Sequence, residues 1–257
     1  MRFSVLGSGS GGNCVYIESN NTALLVDSGF SGRETAARLA LIDRSVESLA
    51  AVFITHEHQD HISGAGVLSR RCRIPLFANE RTYQGAGKTL AKPFRRDEFQ
   101  TGEPICFRNL EIRSFAISHD AGDPVGFIVD DGVHRLGICT DTGAVSRLIR
   151  RRLSDCQALI LEFNHDPLLL KNGPYPVALQ QRVRSSRGHL SNGEGAELLA
   201  ALDHEGLQQV VLAHLSETNN LPELAYREAA AVLQPIGRSS ILDCACQTIP
   251  TRLFELT

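Results

Sequence analysis

The sequence predicts an α/β protein in which two β-sheets pack together between outer helices, a four-layer αββα sandwich. Two observations predict this architecture: both halves of the chain contain short apolar runs bounded by turn residues, and both also contain stretches with helical periodicity. The 257 residues, 42% hydrophobic and 21% charged, suffice to bury a large core. No linker or fixed-period repeat marks a boundary, so we expect a single domain over residues 1–257.

The first part of the chain is predicted to form four strands and one helix. The strands are expected at Arg2 to Leu6, Val15 to Ser19, Ala23 to Asp27 and Ala51 to Thr55. The helix is expected from Gly32 to Leu41, with Ser31 as its cap. The glycines between Gly7 and Gly12 match a dinucleotide-binding pattern, but a strand rather than a helix follows them, so we expect a turn between two strands.

The rest of the chain first continues with strands and then alternates between helices and strands. Three strands are expected at Glu111 to Ile117, Val125 to Asp130 and Arg135 to Cys139. The alternating elements are a helix near Ala144 to Leu153, a strand at Ala158 to Glu162, a helix at Asn192 to Leu202, a strand at Gln209 to Ala213, a helix at Leu221 to Leu233 and a closing strand near Ser240 to Asp243.

Composition restricts the function classes. There is no signal-peptide pattern and no apolar stretch of membrane-spanning length, so we expect a cytoplasmic protein that does not bind membranes. The seven cysteines lack the paired spacing of a structural zinc site. A net charge of -3 leaves the partner open. Three arginine groups, around Arg70, Arg150 and Arg184, are compatible with phosphate contact or with a solvated helix face.

The segment from Thr55 to His61 concentrates metal-binding side chains directly after a predicted strand. It contains four good ligands, His56, His58, Asp60 and His61. Imidazole nitrogens suit zinc and other first-row divalent metals, and a carboxylate offsets their charge. The alternative is a polar turn with incidental histidines, which is disfavoured because three of the nine histidines of the chain lie here.

This segment is similar to the His-x-His-x-Asp-His signature of the metallo-β-lactamase fold superfamily. Further blocks, in the expected order over nearly the whole chain, resemble the YycJ/WalJ-type branch of that superfamily. These blocks are Leu6 to Cys14, Ser118 to Asp120, Cys139 to Gly143, Glu162 to Asp166, Gly188 to Asn192 and Ala213 to Ser216. The resemblance implies the metallo-β-lactamase fold.

The resemblance also implies a site for two divalent metal ions. One metal would be held by His56, His58 and His119, and the other by Asp60, His61 and His214, with Asp141 bridging both. His119, Asp141 and His214 each follow an apolar run, as ligands at the rim of a sheet would. Zinc, manganese and iron all accept such a mixture of ligands.

Two such metals can share a hydroxide that attacks a phosphoryl or acyl group, and Asp60 and Asp141 would orient it. By the resemblance, His189 is the candidate general acid for the leaving oxygen and Glu162 orients it. His165 could instead contact the scissile phosphate, and the sequence does not separate these roles.

The resemblance therefore implies a phosphodiesterase, specifically a 5′-to-3′ exonuclease on DNA with a part in mismatch repair. Processing of long RNA is disfavoured because the interval between Asp141 and His214 is too short for a large inserted domain. The alternative is hydrolysis of a small ester, lactone or thioester at the same metal site. The oligomeric state stays open.

Overall fold

The strands of the computed structural model, which describes residues 1–233 and 241–257, form two seven-stranded sheets. The first sheet contains β1 (Arg2–Gly7), β2 (Cys14–Ser19), β3 (Thr22–Val26), β4 (Leu49–Phe53), β5 (Pro75–Ala78), β6 (Arg95–Glu98) and β14 (Phe254–Glu255). The second contains β7 (Pro104–Phe107), β8 (Leu110–Ala116), β9 (Val125–Asp130), β10 (Arg135–Cys139), β11 (Ala158–Glu162), β12 (Gln209–Ala213) and β13 (Leu242–Cys244).

Both sheets are mixed and share one pattern. The first has the order β14-β1-β2-β3-β4-β5-β6, antiparallel as far as β3 and parallel from β3 to β6. The second has the order β13-β12-β11-β10-β9-β8-β7, with parallel pairing from β13 to β10 and antiparallel pairing beyond. The parallel strands need crossover connections, and helices supply most of them.

The helices of the described residues are α1 (Gly32–Ala40), α2 (Gln59–Ile62), α3 (Ala65–Cys72), α4 (Glu80–Ala86), α5 (Arg147–Leu153), α6 (Pro167–Asn172), α7 (Val177–Val183), α8 (Asn192–Leu202) and α9 (Pro222–Leu233). Several of them cover the outer faces of the two sheets. Residues of α1, α3 and α4 share a buried cluster with the first sheet, and residues of α5, α8 and α9 share one with the second. None of these helices combines the length and hydropathy of a membrane span, within the described residues.

A third apolar cluster fills the space between the sheets. Phe53 of β4 lies near its centre, stacked on Phe77 at a ring-centroid distance of 4.5 Å and edge-on to Phe127 of the second sheet at 6.1 Å. Aromatic pairs favour such offset and edge-on arrangements. The predicted αββα sandwich is therefore confirmed.

The predicted elements are present, with ends shifted by a few residues. The glycine-rich segment joins β1 to β2, as expected for a turn. The closing strand was predicted near Ser240 to Asp243; the structure has it at Leu242–Cys244, and Ser240 itself lies outside the described residues. The strand predicted at Ala51 to Thr55 is Leu49–Phe53, which leaves the metal-binding segment wholly in the loop and short helix that follow.

Candidate metal centre

The predicted metal ligands lie just after strands of both sheets, in loops or, for Asp60 and His61, in the short helix α2. His56 to His61 follow β4 of the first sheet, whereas His119 follows β8, Asp141 follows β10 and His214 follows β12 of the second. Asp141 and His214 have φ values of 59° and 58°, in the left-handed region that non-glycine residues seldom adopt. Each therefore turns the chain sharply just after its strand, at the rim where the two sheets meet.

Three imidazole rings converge in a first cluster. Nδ1 of His58 lies 3.1 Å from Nε2 of His56 and 3.3 Å from Nε2 of His119. Burial, together with the charge of His61 and His119, lowers the pKa of His56 well below its usual value. A neutral imidazole is the form that ligates a metal, so this cluster can hold one divalent cation.

A second cluster lies beside the first. Nε2 of His61 lies 3.4 Å from Oδ2 of Asp60, and Nε2 of His214 lies 3.9 Å from that same oxygen. The ligand atoms of these three residues lie within 4.8 Å of one another. They form a mixed nitrogen and oxygen set that suits zinc, manganese or iron.

Asp141 stands between the two clusters. Its Oδ1 lies 3.4 Å from Nε2 of His214 and 3.9 Å from Nε2 of His119, while its Oδ2 lies 3.5 Å from Nε2 of His61. The side chain thus reaches both clusters, with Oδ1 facing His119 and His214 and Oδ2 facing His61. A bridge between two metal ions by Asp141 stays a prediction.

The donor set fits a cation because two of its atoms lack a hydrogen-bond partner. Oδ2 of Asp141 and Nε2 of His214 are buried, and neither is hydrogen-bonded within the described part of the chain. Burying a polar atom without a partner costs free energy, and a carboxylate costs more than a neutral group. A metal ion in contact with these atoms would remove that cost.

The electrostatics of the cluster also favour a cation. Burial alone would lower the pKa of His214, but the charge of Asp141 and the nearby carboxylates of Asp60 and Glu162 raise it to about 10. The same negative potential would attract a metal ion. Metal binding would then displace the proton, as occurs generally when imidazole ligands are metallated.

His61 is held by a buried carboxylate that the sequence analysis did not assign to the site. Oδ2 of Asp27 accepts a hydrogen bond from Nδ1 of His61 at 2.8 Å, and Thr55 donates to the same carboxylate through its backbone N–H and its hydroxyl. With Nδ1 occupied, Nε2 of His61 faces the cluster. In the sequence, the one signal for Asp27 was its position as a carboxylate directly after an apolar run.

Asn13, in the glycine-rich loop, was also missed. Its Nδ2 lies 3.2 Å from Oδ2 of Asp60 and 3.0 Å from Nε2 of His61, and its Oδ1 accepts from the backbone N–H of Gly9 at 2.9 Å. The loop therefore contributes an amide side chain to the cluster. A single polar residue in a glycine-rich turn carries no spacing signal that would have identified it.

Glu162 is fully buried and connects the cluster to His189. Its Oε1 accepts from Nδ1 of His189 at 2.8 Å and from Nδ1 of His214 at 3.1 Å. Burial alone would raise the pKa of Glu162, but the charge of His189 and these hydrogen bonds lower it well below its usual value. The carboxylate is ionised, and Nε2 is the ring nitrogen that His189 can direct elsewhere.

His189 faces an open cavity of about 180 Å³ beside the cluster. His119 and His214 line one side of it, and residues of α7 line another. Arg182, from the third predicted arginine group, lies on the wall, where its guanidinium binds Oδ2 of Asp120. The second arginine group borders a separate hollow with Glu111, Asp130 and Asp155.

His165 lies deeper than the other predicted residues. It is 3% exposed, its backbone pairs with Ser191, and its side chain does not line the cavity. Burial lowers its pKa. A phosphate contact by His165 stays a prediction.

The fold and the candidate site are those of a metal-dependent hydrolase. Comparison with known proteins assigns the family. The family model described as the beta-lactamase superfamily domain matches residues 22–215, and the chain belongs to this family. The fold is also that of the metallo-beta-lactamase fold protein YhfI from Bacillus subtilis, with a TM-score of 0.74, 18% identity and coverage of 98% of this chain and 99% of that one.

Two curated relatives are similar over most of their length. Exodeoxyribonuclease YycJ of Bacillus anthracis is 36% identical over 240 residues, which are 92% of this chain and 90% of that protein. Exodeoxyribonuclease WalJ of Streptococcus pneumoniae serotype 2 is 40% identical over 231 residues, 88% of this chain and 85% of that protein. The predicted superfamily and branch are confirmed, and a metallo-β-lactamase fold implies divalent metal ions.

Proposed function

We propose that this protein is a metal-dependent phosphodiesterase that acts as a 5′-to-3′ exonuclease on DNA. One observation carries the proposal. The buried carboxylate of Glu162 accepts a hydrogen bond from His189, and this pair lies directly beside the cluster of histidines and aspartates. Both curated relatives are named exodeoxyribonucleases, which supports DNA as the substrate. A part in DNA repair stays a prediction.

The cluster would hold two divalent ions, zinc or manganese, with iron also accepted. His56, His58 and His119 would ligate one and Asp60, His61 and His214 the other, with Asp141 between them. When bound, such ions activate water and stabilise the charge that develops on a phosphoryl oxygen. Asp27 and Asn13 would keep His61 and Asp60 in position.

His189 would supply the proton that phosphodiester cleavage needs. The leaving oxygen is a poor alkoxide unless it is protonated, and Nε2 of His189 points away from Glu162, which accepts from Nδ1. Glu162 fixes the orientation of the ring through this hydrogen bond. A thioester expels a thiolate, which leaves readily without protonation, so a thioester hydrolase has less need for this pair.

The general acid can be tested separately from the metal site. We expect His189→Ala to lower kcat on DNA by about 10²- to 10⁴-fold, the usual contribution of general acid catalysis. Its metal content should stay near that of the wild type. His134→Ala, in the turn before β10 and beside Asp131, is the control.

The assay uses end-labelled single- and double-stranded DNA with manganese or zinc, together with elemental analysis of each variant. Undiminished cleavage by His189→Ala would remove the general acid from the proposal. If the wild-type protein cleaves neither DNA with either metal, hydrolysis of a small ester, lactone or thioester becomes the better explanation of the site.

A further inference from the structure

The cavity beside His189 has one apolar wall that takes no part in metal binding or proton transfer. Tyr175, in the loop between α6 and α7, lines it together with Leu179 and Val183 of α7. Ser216 and Asn219 also line the cavity and bring polar groups to it. Tyr175 is half-buried, and no aromatic ring in residues 1–233 or 241–257 stacks on it.

The apolar wall is fixed to the site by close backbone contacts. A Cβ atom on Gly188 would lie 2.2 Å from the carbonyl oxygen of Val183, and one on Gly143 would lie 2.3 Å from that of Ser185. Arg182 adds an ion pair, with Nε and Nη2 at 2.8 and 2.6 Å from Oδ2 of Asp120. The segment that carries Tyr175 therefore ends on the same loops that position the metal cluster.

The size of the cavity limits what it can take. At about 180 Å³ it is smaller than the roughly 300–1,000 Å³ of pockets that hold drug-sized ligands. Such a space suits one planar ring system rather than a length of strand. An apolar face and a polar rim are the two features that a nucleobase offers.

We propose that Tyr175 is a specificity-determining residue, on which the nucleobase of the terminal nucleotide stacks while the scissile phosphate lies at the metal cluster. This proposal rests on the exonuclease function proposed above. It adds the requirement that the leaving nucleotide carries a base.

The placement agrees with the chemistry of the cut. In 5′-to-3′ digestion, water forms a new bond to phosphorus and releases a proton to solvent. The bond from phosphorus to the 3′ oxygen of the terminal nucleotide breaks, and that oxygen keeps the electron pair and takes a proton from Nε2 of His189, which solvent then reprotonates. The group that leaves therefore belongs to the nucleotide whose base is recognised. His189 and Tyr175 line the same cavity. The general acid and the ring that contacts the nucleobase would therefore act on the same nucleotide.

The test compares two DNA strands that differ only at the terminal nucleotide, which carries either a base or an abasic tetrahydrofuran. With the metal-loaded wild-type protein, we expect kcat/KM to be about ten-fold higher for the base-bearing end, within the range of base–aromatic stacking. Tyr175→Phe should keep this preference, because it keeps the ring. Tyr175→Ala should remove the preference, so that kcat/KM becomes about equal for the two ends.

A matched control and a second readout guard against a folding defect. Tyr226→Ala changes the same residue type on α9, outside this cavity, and should keep the preference. A terminal 2-aminopurine, whose fluorescence falls on stacking, should be quenched by metal-loaded His189→Ala protein. We expect quenching to be lost when Tyr175→Ala is added to that variant.

The outcomes separate the two proposals. DNA cleavage without any preference for the base, or a preference that survives in Tyr175→Ala, would overturn the role of Tyr175 and leave the exonuclease intact. Absence of cleavage of both strands by the wild-type protein would overturn the exonuclease and, with it, this inference.

Discussion

Asp27 decides which nitrogen of His61 faces the metal cluster. Its carboxylate is buried and accepts three hydrogen bonds, one from Nδ1 of His61 and two from Thr55. An outer carboxylate of this kind fixes the tautomer and the ring orientation of a ligating histidine. Asp27 also has a φ of 61°, so the chain turns sharply at this residue, directly after β3, where its side chain meets His61.

We expect Asp27→Asn to weaken metal binding by about 10- to 100-fold at the cluster formed by Asp60, His61 and His214. An asparagine keeps the volume of the side chain, but its amide turns one of the three accepted hydrogen bonds into a contact between two donors. Competition against a chromophoric chelator measures the affinity.

Asp43→Asn is the matched control for this variant. Asp43 has a similar φ of 56° but is exposed and lies outside the site. An Asp27→Asn protein that binds both metal ions as tightly as the Asp43→Asn protein would show that Asp27 does not support the ligand.

At the scale of elements, the approach of α8 to β11 sets the position of Glu162. The helix begins with a capping box, in which Ser191 and Glu194 each bind the backbone of the other. One turn later, Gly195 packs directly on the strand: a Cβ atom there would lie 2.6 Å from the carbonyl oxygen of Glu162 and 3.0 Å from the ring of Phe163. A side chain at this position would push the helix away from the end of β11.

Gly195→Ala should therefore destabilise the protein by about 1–3 kcal/mol, the usual cost of overpacking. Gly193→Ala is the control in the same helix, because a Cβ atom there meets nothing within 4 Å. That change should stabilise the protein by about 0.4–1 kcal/mol, by restricting the unfolded chain. Urea unfolding measures both, and equal stability of the two variants would contradict the close contact.

Two of the elements that were not predicted, β6 and α7, have no period in their apolar residues. β6, Arg-Arg-Asp-Glu, lies at the edge of its sheet and has no fully buried side chain, so no alternation identifies it. α7 likewise has no buried residue. The candidate ligands in the His56 to His61 segment are adjacent in sequence and so give a pattern, whereas Asp27 and Asn13 reach them only through the fold.

At the scale of the whole molecule, residues near the C-terminal end contact the glycine-rich loop between β1 and β2. Gln247 accepts from the backbone N–H of Gly11 and donates to the carbonyl of Gly12, and the backbone N–H of Ser8 donates to the carbonyl of Cys246. The hydroxyl of Ser8 in turn accepts from the backbone N–H of His214. The loop is therefore hydrogen-bonded to the second sheet at His214, a residue of the second cluster.

Because the proposed ligands come from both sheets, metal binding should stabilise the whole fold. An ion present at 100 times its Kd adds about 2.7 kcal/mol, and about 2–4 °C in Tm per kcal/mol then gives a rise of about 5–10 °C. We expect zinc or manganese to produce this rise and a chelator to reverse it, as measured by thermal unfolding. The double variant His56→Ala and His214→Ala should lose the response, whereas His134→Ala should keep it. An equal rise in the double variant would mean that the stabilising ion binds elsewhere.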